Sequence, residues 1–163
     1  MFDRFSPSAG RAIFWARKEA GRLGEDAIGP EHLLLGILIE DQGASHAMMY
    51  EALGVAMSEA PRMAIMPEAP LKPFFSGETA TRLREGVVEQ ASMRHSLPDH
   101  VDMALTQEAK SVLSGLTQRH GEQNVNLLDL LRELFEERAG PVSALLLSNG
   151  ITAEQVDAAI REH

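Results

Sequence analysis

Apolar residues recur along most of this chain at the three-and-four spacing of a helix, and nowhere do they alternate as a half-buried strand requires. Ala9, Ile13, Ala16 and Ala20 form the first stripe. Ser6 can cap that helix, and Pro7 suits its opening position, where the N–H that proline lacks has no partner to lose. Gly21-Arg22-Leu23-Gly24 marks the end. A second helix opens at Gly29-Pro30 and runs to about Glu40. Gln42-Gly43 separates it from a third over Ala44 to Leu53, which Gly54 stops. Ser58 caps a short fourth segment, with Val55 as its hydrophobic staple.

The composition then shifts. Pro61, Pro67, Pro70 and Pro73 read as an extended linker. Ser76 to His95 reads as one added helix, striped by Ala80, Leu83, Val87 and Ala91 and broken by Ser96-Leu97-Pro98-Asp99. Thr106 caps a further helix carrying Ala109, Val112, Leu113 and Leu116. Asn124 to Asn126 turn the chain into a helix from about Leu127 to Glu137. Gly140-Pro141 opens another through Leu147, stopped by Asn149-Gly150, and Thr152-Ala153-Glu154-Gln155 has capping-box spacing for the last. Nothing reads as a strand, so the expected class is all-α.

One two-part pattern occurs twice. Phe5-Ser6-Pro7-Ser8-Ala9 followed by Ile28-Gly29-Pro30-Glu31-His32-Leu33-Leu34-Leu35-Gly36 is answered by Leu105-Thr106-Gln107-Glu108-Ala109 and Val125-Asn126-Leu127-Leu128-Asp129-Leu130-Leu131. Caps, turn residues and apolar stripes return in the same order. Each unit is striped on one side and cannot bury that side alone, so two units stacked face to face close a shared core. The expected architecture is a pseudo-two-fold duplicated four-helix repeat. Residues 1–58 form the first repeat, 59–103 the Pro-rich linker with its added helix, and 104–163 the second repeat, all in one compact domain.

Charge and composition narrow the function. A net charge of −9 over 163 residues argues against a nucleic-acid backbone or an anionic membrane surface as partner. The chain has no cysteine, which removes disulfides, thiolate chemistry and sulfur-held metals. No apolar run approaches the length of a membrane span, and the start Met1-Phe2-Asp3-Arg4-Phe5 lacks the layout of a secretory signal. The expected location is the cytoplasm. No phosphate-cradling G-x-x-x-x-G-K-[ST] loop is present, so no nucleotide is expected. The histidines His32, His46, His95, His100, His120 and His163 form no i, i+4 ligand pair, so no metal and no cofactor are expected.

The motifs Phe5-Ser6-x-x-Ala9-x-Arg11, Ile28-Gly29-x-Glu31-His32-Leu33-Leu34-Leu35-Gly36 and Leu53-Gly54-Val55 resemble the N-terminal domain of the Clp (Hsp100) AAA+ unfoldases. The second copy departs from that pattern: Leu128-Asp129 replaces Glu31-His32, and Arg132-Glu133 replaces Leu35-Gly36. The resemblance implies a double repeat without catalysis of its own, which binds substrate proteins or adaptors for an AAA+ unfoldase. The alternative is a free-standing regulator that docks on Clp ATPase or protease subunits, and the ending at His163 without a continuing linker tilts toward a free-standing form. The resemblance also implies a ligand site at Ser6, Glu31 and His32, for a phosphoarginine-like group or a peptide. The carboxylate of Glu31 would meet a guanidinium, and the hydroxyl of the capping Ser6 would lie near the phosphate. Thr106 keeps the hydroxyl in the second copy, but Leu128 stands where the acid would be.

Other residues have plainer readings. Glu31 in a first helical turn also stabilises the helix dipole, and His32 can make a local hydrogen bond at a helix start. Met48, Met49, Met57, Met63 and Met66 read as core filling or as an adaptable partner surface, and Phe74-Phe75 as folding over the repeat interface or as an exposed pair that recruits a partner. Phe14 and Trp15 are adjacent and cannot share one helix face, so one of them must point elsewhere.

Overall fold

The computed structural model describes residues 4–41, 77–90, 103–121, 123–136 and 139–162. The expected third helix (44–53), the segment capped by Ser58, the proline linker, the five methionines and Phe74-Phe75 lie outside the described residues.

Seven helices and two short strands are described: α1 (Pro7–Arg22), β1 (Ala27–Ile28), α2 (Pro30–Asp41), α3 (Gly77–Gln90), β2 (Ala104–Leu105), α4 (Gln107–His120), α5 (Leu127–Glu133), α6 (Pro141–Ser148) and α7 (Ala153–Glu162). The caps sit where the local chemistry put them. Ser6 has extended backbone, and its Oγ accepts the N–H of Ala9 at 3.2 Å. Thr106 does the same for Ala109 at 3.1 Å. Thr152 and Gln155 form the expected reciprocal box, at 3.1 and 3.3 Å.

α2 is the centre of the molecule. Its Leu33-Leu34-Leu35-Gly36-Ile37-Leu38-Ile39 run is apolar on every side, and of its residues only Glu31 escapes burial. α1 lies antiparallel against it. Arg11 near the start of α1 bonds Glu40 near the end of α2, while a Cβ on Gly36 would run into the backbone of Ala12 and Ala16. The alanine stripe of α1 (Ala9, Ala12, Ala16, Ala20), fully buried, permits that approach. Leu83 and Val87 of α3, Val112, Leu113 and Leu116 of α4, Leu130 and Leu131 of α5, Leu146 of α6 and Val156 of α7 complete one core.

The expectation of no strand needs correction. β1 and β2 pair in parallel, Ala27 with Ala104 and Ile28 with Leu105. A second parallel bridge joins Phe5 to Val125. Strands of two residues are too short to show alternation, so periodicity could not register them. The bonds they carry cross between the two halves of the chain. Ser6 N–H donates to the carbonyl of Val125 at 2.7 Å, and Thr106 N–H donates to the carbonyl of Ile28 at 2.9 Å. The residue capping the first helix of each half is thus tied to the residue preceding the second helix of the other.

α5 ends at Glu133, earlier than the expected Glu137. Leu134, Phe135 and Glu136 donate to carbonyls three residues back, a tightened final turn that replaces further α-helix.

Candidate functional site

The start of α2 carries two of the three residues singled out for ligand binding. Gly29 and Pro30 bring the chain from β1 into the helix, and Glu31 and His32 occupy its first turn. Glu31 holds its side chain 36% exposed. Its carboxylate folds back over Gly29, occupying the space a Cβ there would need. A carboxylate in that position faces the positive end of the helix dipole and remains open to solvent on its other side.

His32 is placed differently. It is 2% exposed, and its Nδ1 accepts the backbone N–H of Gly29 at 2.8 Å. That bond fixes the neutral tautomer with Nδ1 free of a proton. Burial pulls the imidazole below its ordinary pKa, while Glu31, Glu25 and Glu19 oppose the shift. The His32 ring is therefore committed to its own helix start.

Ser6 stands apart from Glu31. Because α1 and α2 run antiparallel, Ser6 lies at the Glu40 end of the pair. Glu31 and Glu40 are separated by roughly 14 Å along the helix axis. The hydroxyl residue tied to the approach to Glu31 is Thr106, through its backbone bond to Ile28. Ser6 is instead tied to Val125, at the start of α5. The structure brings Glu31 and His32 together, adds Thr106 to that junction, and leaves Ser6 at the other. Sequence reasoning missed this crossing. Its one signal was that an apolar residue precedes each cap and each second helix: Phe5, Leu105, Ile28 and Val125.

At the corresponding junction in the second half, the acid of the first helical turn is engaged and buried. Asp129 accepts the N–H of Asn126 at 2.9 Å while Asn126 accepts that of Asp129 at 3.0 Å, a complete capping box. His120 lies 3.7 Å from Asp129. Leu128, standing where the first half has Glu31, is buried.

Elsewhere the polar chemistry is structural. Arg11 donates from Nε and Nη2 to one oxygen of the fully buried Glu40, at 2.8 and 2.6 Å, and from Nη2 to Ser8 at 3.2 Å. Arg132 joins α5 to α7 through Asp157 at 2.7 Å. Arg119 reaches the buried Glu133 at 3.3 Å. Among the described residues no three His, Asp or Glu side chains gather as a metal site, and no helix is long and apolar enough to cross a membrane. A cleft of about 410 Å³ lies between Arg22 and the Arg84, Glu85, Val88 and Glu89 face of α3. It carries mixed charge around one apolar side chain and no reactive group.

Comparison with known proteins identifies what this arrangement resembles. No family model matches the chain. The chloroplastic chaperone ClpC of Pisum sativum is 24% identical over 155 residues, 88% of this chain and 16% of that protein. The negative regulator of genetic competence ClpC/MecB of Bacillus subtilis is 44% identical over 55 residues, 34% of this chain and 7% of its own length. The chain therefore spans a small part of the relatives it matches. Among solved structures, the N-terminal domain of the caseinolytic protease associated chaperone ClpD from Arabidopsis thaliana superposes with a TM-score of 0.64 at 24% identity. That match covers 98% of this chain and 96% of the ClpD domain.

Proposed function

We propose that this chain, a homologue of the Clp/Hsp100 chaperones with the fold of the ClpD N-terminal domain, is a non-catalytic protein-binding domain. In this reading it recognises substrate proteins or adaptors in the cytoplasm and presents them to an AAA+ unfoldase. The observation that carries it is the extent of the structural match, which takes in nearly all of both chains and so makes this chain the counterpart of a whole domain. The polar side chains described above are spent on caps and ion pairs that hold the fold, which suits a binding module better than an enzyme.

Within that reading, the α2 start is the ligand site. Glu31 is the open carboxylate for a guanidinium-bearing group, and the N-terminus of α4 beside Thr106 supplies amides for an attached phosphate. His32 holds the backbone of the site in shape.

A capture experiment tests the function. Immobilised protein is exposed separately to purified Clp ATPase and protease subunits and to a chemically denatured protein. Retention of the denatured protein supports substrate recognition. Retention of Clp subunits alone moves the function to a regulator docking on the ring, and retention of neither overturns the proposal.

A further inference from the structure

α1 differs in charge from the rest of the molecule. It holds four of the chain's 15 Lys and Arg residues (Arg11, Arg17, Lys18 and Arg22) but only Glu19 of its 24 acidic ones, in a chain of net charge −9. Arg11, Phe14, Lys18 and Arg22 follow one another at intervals of three and four and so share one stripe of the helix. In that stripe Phe14 is 50% exposed, and with Leu147 it is one of two large apolar side chains so open among the described residues. Its neighbour Trp15 is the ring that turns inward, at 2% exposure.

The face is ordered before any partner meets it. Trp15 packs its ring against Phe14 edge to face, with centroids 5.1 Å apart. The Lys18 ammonium lies 5.7 Å from the Phe14 ring and 5.6 Å from that of Trp15. Arg11 is fixed by Glu40 and Ser8, and Arg22 by Glu19 at 2.7 Å. Rigid aromatic and arginine side chains lose little freedom on binding and are the residue types that dominate protein interfaces.

We propose that this face of α1 docks an acidic segment of a partner protein carrying an apolar or aromatic side chain. The proposal rests on the protein-binding reading and names the partner's chemistry. The apolar side chain of the segment covers Phe14, and its carboxylates meet the Lys18 ammonium that lies over the ring. The acidity of the rest of the chain repels such a segment, so encounters are steered to α1.

The test uses a short fluorescein-labelled peptide of Asp and Glu flanking a central Leu-Phe pair, a Lys-for-acid version of it, and phosphatidylserine vesicles. The full chain and its Phe14→Ala and Lys18→Glu variants are compared, with circular dichroism confirming that each is folded. The acidic peptide gives a saturable rise in anisotropy and a change in Trp15 emission, both weakened by salt. Each substitution weakens binding about tenfold, and the Lys peptide does not bind. Equal binding by all three proteins, no binding of the acidic peptide, or binding to vesicles alone overturns the inference. The capture experiment above separates the two failures. If the unmodified protein retains Clp subunits or denatured protein yet ignores the acidic peptide, the α1 surface falls and the domain reading stands. If it retains none of them, the domain reading falls first.

Discussion

The Nδ1 atom of His32 accepts the backbone N–H of Gly29 at 2.8 Å, in a site that leaves the ring 2% exposed. The second half of the chain does the same work with a carboxylate, Asp129 accepting from Asn126. An imidazole's ordinary pKa lies close to neutrality. Protonation of Nδ1 removes the acceptor and places a charge in a buried site, and burial holds the folded pKa below the ordinary 6.5 against the pull of Glu31, Glu25 and Glu19. As pH falls below about 6.5, the unfolded chain therefore takes up this proton before the folded one does. The His32 contribution is complete above that pH and declines below it, by at most about 1.4 kcal/mol per pH unit, until the folded ring is itself protonated. Urea midpoints measured at decreasing pH should fall, and His32→Asn, which keeps a neutral acceptor, should flatten the decline. Parallel profiles for the two proteins would remove His32 from the account.

Gly36→Ala should destabilise the fold although alanine is the better helix former. On an isolated helix the change would gain about 1 kcal/mol. Here the added methyl meets the Ala12 carbonyl oxygen and the Ala16 nitrogen, which are backbone atoms and cannot swing aside. Forcing α1 and α2 apart should cost about 2–3 kcal/mol, read as a lower urea midpoint. A midpoint equal to or above that of the unmodified chain would show that the two helices are not in close contact there.

Local signals were the legible part of this fold. The caps at Ser6, Thr106 and Thr152 and the proline-opened helices at Pro7, Pro30 and Pro141 depend on a few adjacent residues, and each stands where spacing put it. The all-round apolar run of α2 marked the central helix for a similar reason. What sequence could not show was how the halves cross. β1 and β2 are two residues each, and their partners are distant along the chain, so neither periodicity nor turn chemistry reports the pairing. That crossing decides the composition of the α2 junction. There the backbone tie comes from Thr106 rather than Ser6, and His32 is buried with its Nδ1 on the Gly29 N–H. The adjacency of Phe14 and Trp15 required that one ring leave the core side, but only packing decided that it was Phe14.

The Arg11–Glu40 pair should show the asymmetry of buried charge. Glu40 has no solvent exposure, and Arg11 supplies two donors to it from the neighbouring helix. Arg11→Met takes the guanidinium away from a buried carboxylate, and about 3 kcal/mol of stability should be lost. The double variant Arg11→Met with Glu40→Leu should recover most of that loss, since it removes the charge along with its partner. Calorimetric melting of the three proteins measures it. An Arg11→Met protein as stable as the original would show that Glu40 finds another donor.

The junction at α2 makes a distinction that neither half of the chain could make alone. If Glu31 receives the guanidinium of phosphoarginine, the hydroxyl beside it belongs to Thr106, because Ser6 lies at the far end of the α1–α2 pair. Free phosphoarginine titrated into the labelled protein should shift the amide resonances of residues 29–32 and 106–109. Glu31→Ala should abolish those shifts, since Glu31 is the carboxylate that the first turn of α2 holds open to solvent, and Leu128 fills the matching place in the other half. Thr106→Val removes the hydroxyl while keeping the side-chain volume, and should weaken binding about tenfold beyond its effect on stability. Ser6→Ala loses a helix cap worth about 1 kcal/mol but should bind as the unmodified protein does. A Ser6→Ala protein that stays folded and loses binding would place the phosphate at the other junction, against the geometry described here.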